Sequence, residues 1–300
     1  MIALFMSGSV GARGRNNGLD VLMIKSLLNA YARRNTLTEL EMNETVDDAC
    51  LTLIAVFQSK VVKMAKPDSL VSANAGTFKQ MVAYLKAGFS VAAITKPTEG
   101  VLTWDAEGNE GGYYHSRVFH VPSASSGLTI GRGYDMKFRS SASIVSDLTT
   151  AGIELAKANV IGGAGGKKGK VAEQFVYQHD LLDFEITASQ QLALFKKTYQ
   201  EYLDDVKRIS GKADTVEAYG AIDWSKVPQV VQDLMVDLHY RGDYTPAARR
   251  LIQKYVADSE FGKFKTAIQN QDNWSSVPAD RFKRRSDYAA NISSDTAKKK

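Results

Sequence analysis

Apolar residues recur at helical spacing in three stretches of the first 85 residues. In the first and third stretches the apolar positions lie three or four residues apart and so share one face of a helix: Val21, Ile24, Leu28 and Tyr31, and Phe78, Met81 and Leu85. The second stretch has Leu51, Ile54, Val56, Phe57 and Val61 as its apolar residues. Asp20 stands where an N-terminal cap of the first helix belongs, and Pro67-Asp68-Ser69 forms a turn before the third. The pattern predicts a compact unit of three helices over residues 1–85.

The pattern is helical again from Ser140 to the end of the chain. Residues 187–190, Thr-Ala-Ser-Gln, have the form of a capping box, in which the first and fourth side chains satisfy each other's backbone N–H groups. The helix that follows has one apolar face: Leu192, Phe195, Tyr199, Tyr202, Val206 and Ile209. Pro228 suits the first position of another helix, and Gly242 suits its C-terminal cap. Three more helices are predicted, at 246–258, 260–270 and 279–290.

The segment between these helical regions has a different character. Residues 86–100 mix Gly, Ala, Thr and Pro without periodicity, and we interpret them as a linker. Residues 104–136 are rich in Gly, Ser, aromatic and β-branched residues, which is typical of short strands and turns. The predicted fold is therefore mainly α (α+β). A three-helix domain at 1–85 and the linker precede a domain at 101–300 with a small β-hairpin subdomain and a helical lobe.

Composition is that of a soluble globular protein. Of the 300 residues, 44% are apolar and 24% are charged, and the net charge is +5. This mild positive excess suits an anionic polymer or an ordinary solvated surface, and it is not the dense basic stripe of a nucleic-acid-binding protein. Arg281, Lys283, Arg284 and Arg285 form a basic cluster. This cluster has three interpretations: solvated charge on a helix, contact with an anionic bacterial surface, or salt bridges to the hairpin.

The motifs disfavour several kinds of site. Cys50 is the single cysteine, which excludes a disulfide within the chain, and no HExxH motif supports zinc. Met136 stands where a dinucleotide-binding GxGxxG motif needs its third glycine. We therefore expect no metal and no cofactor. The four histidines are expected to pack, to form hydrogen bonds or to line a groove: His115, His120, His179 and His239.

Targeting and membrane segments are not expected either. No stretch reaches the length of a membrane-spanning helix, and the apolar run at residues 1–6 is too short for a signal peptide. We expect the chain to be made and folded in the cytoplasm.

Acidic residues open the segment 104–136, and a Gly-rich turn ends it. Two carboxylates brought together by a hairpin can cleave a glycosidic bond, because one protonates the leaving oxygen while the other orients water or attacks the sugar. The acid must stay protonated near neutral pH, which requires burial against apolar groups. Trp104 and the pair Tyr113-Tyr114 are candidates for that environment around Glu107 or Glu110.

The same segment resembles the catalytic entry of lysozyme-like muramidases, and in particular their pesticin-like branch. The resemblance lies in Glu-Gly-Asn at 107–109, in YHSRVFHVP at 114–122 and in SGLTIGRGYDM at 126–136. It implies that Glu107 is the general acid, with Glu110, also followed by Gly, as its rival. It implies as well that Thr129 and Asp135 hold the attacking water, which predicts inversion and carboxyl groups about 6.5–9.5 Å apart. From the residues alone, Asp135 could instead cap the next helix, and Thr129 could be an ordinary strand residue.

The first 85 residues resemble the three-helix peptidoglycan-binding domain. Its pattern is matched by Asp-Val through Leu-Leu-Asn at 20–29, by Ile-x-x-Phe-Gln at 54–58 and by Gly-Thr-Phe at 76–78. The middle, at 36–43, is longer than usual, and Pro-Asp-Ser at 67–69 replaces an Asp-Gly. A packing module with no binding role is the alternative.

The two resemblances together predict a modular phage endolysin. It would bind peptidoglycan through its N-terminal domain and hydrolyse the β-1,4 bond between N-acetylmuramic acid and N-acetylglucosamine, acting as a monomer. Made in the cytoplasm of the infected host, it would reach the wall after release through a membrane-permeabilising partner. The alternatives are a lytic transglycosylase, a pesticin-type bacteriocin and a non-enzymatic wall-binding protein.

Overall fold

The computed structural model describes residues 2–112 and 115–293 and is mainly helical, which confirms the predicted fold class. The helices of the described residues are α1 (Gly18–Arg34), α2 (Asp48–Phe57), α3 (Gly76–Ala87), α4 (Val101–Ala106), α5 (Ser141–Thr150), α6 (Leu155–Gly162), α7 (Gly169–Gln178), α8 (Ala188–Ser210), α9 (Ala213–Tyr219), α10 (Gln229–Arg241), α11 (Pro246–Ala257), α12 (Phe261–Gln269) and α13 (Ala279–Ala289). A π-helical turn (Gln58–Val62) continues α2, and 3-10 turns lie at Trp224–Lys226 and Gln271–Trp274. Two antiparallel pairs of short strands join β1 (Val10–Gly11) to β2 (Leu70–Val71) and β3 (Thr129–Ile130) to β4 (Tyr134–Asp135).

The chain divides into two compact units, each made of two stretches. The first comprises Met1–Ile94 and Asn109–Leu194, and the second comprises Thr95–Gly108 and Phe195–Lys300. The boundaries predicted at residues 85 and 100 do not coincide with this division, because the N-terminal helices share one apolar core with residues of the hairpin and of α5–α7. The functional domains at 1–85 and 101–300 stay a prediction.

Helix α1 is the centre of the first unit. It is buried without interruption from Asp20 to Ala32 and packs against α2, α3 and α7. Ser26 Oγ donates to Asp180 Oδ1 at 2.9 Å, and Arg33 Nη2 lies 2.7 Å from Asp183 Oδ1. These contacts join residues about 150 positions apart in the chain, so no local sequence pattern reveals them.

Asp20 does not cap α1, contrary to the prediction. It lies within the first turn of the helix, and Asn17 holds the cap position. Its carboxylate accepts hydrogen bonds from Ser7 Oγ at 2.7 Å and from the backbone N–H groups of Ser7 and Gly8 at 3.0 and 2.9 Å. A buried carboxylate needs such donors. Asp20 therefore fastens the N-terminal loop to α1.

The predicted hairpin is present in the first unit. β3 and β4 are antiparallel, with Thr129 opposite Asp135. Gly131 and Gly133 in the turn have φ of 64° and 91°, in the left-handed region that favours glycine. On its other side Thr129 bridges His120, also antiparallel, so the hairpin has a third, one-residue strand.

Local signals placed the later helices correctly. Thr187 N donates to Gln190 Oε1 at 2.9 Å and Gln190 N donates to Thr187 Oγ1 at 3.2 Å, which confirms the capping box. Gly242 follows α10 with φ of 87°, as predicted, whereas Pro228 stands at the N-terminal cap, one residue before its predicted place at the first position of α10. In the second unit α4 packs on α10 and α13, and α12 contacts α11 and α13. Within the described residues, no helix combines the length and apolar character needed to cross a membrane.

Candidate active site

Glu107 stands at the C-terminal end of α4, in the second unit. Two buried aspartates of α10 hold this six-residue helix. Gly100 N, at its start, donates to Asp233 Oδ1 at 3.0 Å, and Thr103 Oγ1 donates to Asp237 Oδ1 at 3.1 Å. A helix so short is not stable by itself. The position of Glu107 therefore depends on these two bonds and on the packing of α4.

The carboxylate of Glu107 is paired with Arg281, whose Nη1 lies 2.9 Å from Glu107 Oε1. The same guanidinium donates to Asp237 through Nη2 at 2.5 Å and Nε at 3.1 Å. Arg285 donates to Asp237 Oδ2 at 2.6 Å and to Asp243 Oδ2 at 2.7 Å. Charges therefore alternate along a largely buried chain from Glu107 through the two arginines to Asp243, with the wholly buried Asp237 at its centre.

Burial raises the pKa of Glu107 above its ordinary value, although Arg281 acts in the opposite direction. Its side chain remains 26% exposed, so it is accessible from solvent. Trp104, three residues earlier in the chain, is completely buried and packs edge-on against Phe195, with ring centroids 5.0 Å apart. The other two predicted members of the apolar environment, Tyr113 and Tyr114, lie outside the described residues. A fixed, accessible carboxyl of raised pKa is what general acid catalysis requires.

Glu110, the rival acid, lies in the first unit with both oxygens engaged. Oε2 accepts from Arg117 Nε at 2.8 Å, and Oε1 accepts from Gln191 Nε2 at 2.9 Å. Arg117 also pairs with Glu185 at 2.9 Å, and His115 Nε2 lies 2.8 Å from that second carboxylate. Both oxygens of Glu110 are thus occupied by partners, and its side chain is less exposed than that of Glu107, at 11% against 26%.

The structure brings Thr129 and Asp135 together across the hairpin, and both contact Gly127. Gly127 N donates to Asp135 Oδ2 at 3.2 Å, and Thr129 Oγ1 donates to Gly127 O at 3.2 Å. Lys137 N donates to the other carboxylate oxygen at 2.7 Å. A Cβ at position 127 would lie 2.3 Å from Asp135 Oδ1, so this approach requires glycine. Asp135 does not cap the following helix, because Ser140 does.

The predicted basic cluster divides into two pairs. Arg281 and Arg285, four residues apart, are 8% and 2% exposed and face the acidic groups of α4 and α10. Lys283 and Arg284 are exposed, and Lys283 pairs with Asp287 at 2.5 Å. Only the second pair is solvated helix charge. Salt bridges do occur in the first pair, but their partners are Glu107 and α10 rather than the hairpin.

The sequence analysis did not single out Asp233 and Asp237. Asp233 accepts hydrogen bonds from Tyr199 Oη and Tyr288 Oη, each at 2.6 Å, besides Gly100 N. Both aspartates stand among the apolar residues of α10, four residues apart and so on one face. Two carboxylates on the buried face of a helix are a signal in themselves, since such groups are buried only when paired.

A family model matches residues 100–286, more than half of the chain. The matched range begins at the residue before α4 and contains Glu107, Thr129, Asp135, Asp237 and Arg281. The family is described as "Domain of unknown function (DUF8812)". The chain belongs to this family. No curated protein matches the chain.

Proposed function

We propose that this member of the family is a muramidase of the endolysin kind, which hydrolyses the β-1,4 bond between N-acetylmuramic acid and N-acetylglucosamine. The observation that carries the proposal is the state of Glu107: accessible, held by Arg281, and raised in pKa by burial. The pairing of Thr129 with Asp135 supports it, because the resemblance to pesticin-like muramidases needs these two side chains together. No metal or cofactor enters the proposal.

In the proposed reaction Glu107 starts protonated and gives its proton to the glycosidic oxygen as the bond from that oxygen to the anomeric carbon breaks. Asp135 takes a proton from a water that Thr129 helps to orient, and the water oxygen bonds to the anomeric carbon. The products are a muramic acid with a reducing end and a glucosamine with a free 4-hydroxyl. Attack from the face opposite the leaving group inverts the anomeric configuration. Arg281 stabilises the Glu107 carboxylate left by proton transfer.

The decisive experiment is digestion of purified Gram-negative peptidoglycan by wild type, Glu107→Gln and Glu110→Gln, with the fragments identified by mass spectrometry. We expect reducing muramic acid ends from the wild type and from Glu110→Gln, and none from Glu107→Gln. Circular dichroism shows whether Glu110→Gln, which loses charge in an ion-pair network, is folded. Loss of cleavage in a folded Glu110→Gln alone would move the acid to that residue. Anhydro ends would assign a lytic transglycosylase, and an inactive wild type would refute the proposal.

The proposal includes peptidoglycan as the ligand of residues 1–85 and a monomer as the active form. The full-length Glu107→Gln protein should sediment with sacculi, even when soluble muropeptides occupy the active site, and light scattering should give the mass of one chain. Addition to intact and to chloroform-treated Gram-negative cells tests the route to the wall. An endolysin that needs a separate membrane-permeabilising protein should lyse the chloroform-treated cells but not the intact cells. Killing of intact cells would favour a bacteriocin.

A further inference from the structure

Three polar side chains share one face of the small sheet in the first unit. Along each of its strands, the residues on either side of the polar one are apolar and point into the core. Five of these six neighbours are buried, each 3% exposed or less: Phe119, Leu128, Ile130, Tyr134 and Met136. Thr129 is buried to the same extent, so strand alternation rather than exposure assigns the faces. Side chains alternate between the two faces of a strand. His120, Thr129 and Asp135 therefore point together to the opposite face.

Backbone pairing makes Thr129 the middle of this row. His120 N donates to Thr129 O at 3.0 Å, and Thr129 N donates to His120 O at 2.9 Å, so the two residues stand directly opposite. Asp135 is the register partner of Thr129 on its other side. Side chains directly opposite in adjacent strands have Cβ atoms about 4.5–5.5 Å apart. His120 and Asp135 thus flank Thr129, the residue proposed to orient the attacking water.

The hydrogen bonds of His120 fix its tautomer. Nδ1 lies 3.1 Å from Val118 O, and a carbonyl oxygen only accepts, so the proton is on Nδ1 and Nε2 carries a lone pair. None of the residues that the structure describes donates to Nε2. Burial lowers the pKa of His120 to about 4, so the ring is neutral at the pH of a bacterial wall. The side chain is nevertheless partly exposed. A neutral imidazole therefore presents a free acceptor on the face that carries Thr129 and Asp135.

We propose that His120 is a third member of the group that holds the attacking water, with Nε2 accepting a hydrogen bond from it. This inference rests on the proposed muramidase function. A water that loses one proton to Asp135 has a second hydrogen, and its direction decides where the oxygen lone pairs point. An acceptor at Nε2 directs that hydrogen away from the anomeric carbon. With both water hydrogens directed to Asp135 and His120, Thr129 holds the water by turning its hydroxyl hydrogen from Gly127 O to one of the water's lone pairs, which leaves the other for the attack. His120 takes no proton in the step, since Asp135 does.

The competing explanation is that His120 has only a structural role, in which its hydrogen bond to Val118 O stabilises the strand. Two substitutions separate the roles, because each keeps one nitrogen's function. His120→Asn places an amide N–H where Nδ1 is and keeps the bond to Val118, but it has no group at Nε2. His120→Gln places an amide oxygen near the position of Nε2 and keeps an acceptor there, but it loses the bond to Val118. His179→Asn is the control, because that ring packs on Phe175, with centroids 4.2 Å apart, outside the hairpin.

The experiment measures kcat, the thermal midpoint and the ratio of reducing to anhydro ends released from purified peptidoglycan. We expect His120→Asn to lower kcat about 100-fold, the loss expected when a reactant is misplaced by about 1 Å, with an unchanged midpoint. Without a held water, its remaining products should contain more anhydro ends. His120→Gln should retain at least ten times the kcat of His120→Asn, even if its midpoint falls.

The reverse order, an active Asn variant and an inactive Gln variant, would overturn the inference and leave His120 a structural residue. Equal activity of both variants with the wild type would overturn it as well. In either case a wild type that Glu107→Gln inactivates would leave the muramidase proposal standing. A wild type that releases no fragments would remove both.

Discussion

Replacing Asp237 by Asn should destabilise the second unit more than any other single change of charge we consider. Its side chain is 0% exposed. It accepts from Arg281 at 2.5 and 3.1 Å, from Arg285 Nε at 2.6 Å and from Thr103 Oγ1 at 3.1 Å. The amide keeps the shape but removes the negative charge, and it turns one acceptor into a donor aimed at guanidinium groups. Two buried positive charges then lose their common partner.

The magnitude follows from what the arginines retain. Removing one partner of a buried ion pair costs about 3–5 kcal/mol, because the other charge stays buried without compensation. Arg281 keeps Glu107 and Arg285 keeps Asp243, each at 2.9 Å or less, so the loss should be near the lower end, about 3 kcal/mol. Asp287→Asn is the matched control. That carboxylate pairs with Lys283 at 2.5 Å, but the two side chains are 63% and 75% exposed, and such pairs contribute at most about 1 kcal/mol.

Tryptophan fluorescence during urea denaturation reports on the unfolding of the second unit, since Trp104, Trp224 and Trp274 all belong to it. With a slope of about 3 kcal/mol per molar urea, the Asp237→Asn midpoint should fall by about 1 M. The slope should stay unchanged, and the control should move by no more than about 0.3 M. If Asp237→Asn moves the midpoint no further than Asp287→Asn does, the buried charge chain does not stabilise the unit and the reasoning is wrong.

Three further predictions concern the candidate site. Glu107→Gln should be more stable than wild type near neutral pH, because burial disfavours the ionised carboxyl. The raised pKa in the folded state means that this difference vanishes as the pH falls below the unfolded pKa of about 4.3, which urea titrations at several pH values can measure. Arg281→Gln should shift the basic limb of the pH–activity profile upwards, since the arginine lowers the pKa of that acid; a limb that stays or moves down would contradict it. Gly127→Ala should lower kcat about 100-fold by displacing the Asp135 carboxylate, whereas Gly262→Ala, whose new methyl group meets no described atom within 4 Å, should leave it unchanged.

The sequence predicted those features that neighbouring residues decide. The capping box at 187–190 and the glycine cap at Gly242 depend on contacts within a few positions, and both were correct. The hairpin is equally local, because Gly131 and Gly133 permit the turn that sets Thr129 opposite Asp135. Alternation of apolar and polar residues then fixes which side chains share a face. For these elements the sequence alone was sufficient to predict the local structure.

Features that depend on distant contacts were missed or left open. Arg281 lies 174 positions from Glu107, and nothing in its neighbourhood distinguishes it from the exposed Arg284. Asp20 has the residue type of a cap, yet it lies in the first turn of α1 and accepts hydrogen bonds from Ser7 and Gly8 of the preceding loop. Glu110 and Glu107 are both followed by glycine. Their difference arises from partners elsewhere in the chain, such as Gln191, which is 81 positions from Glu110.

The pKa of Glu107 is set by groups whose first effect is on stability. Arg281 gives two N–H groups to Asp237 and one to Glu107, so Asp237 already balances much of its charge. Facing Glu107 alone, the same guanidinium would favour the ionised carboxyl strongly. Because the guanidinium is shared with Asp237, its attraction for the Glu107 carboxylate does not outweigh the effect of burial on the pKa. The negative charge of Asp237 raises the pKa of Glu107 further. The raised pKa at this position therefore depends in part on a buried aspartate of α10. The Glu-Gly motif predicts the acid, but nothing near it in the sequence predicts the aspartate that acts on its pKa.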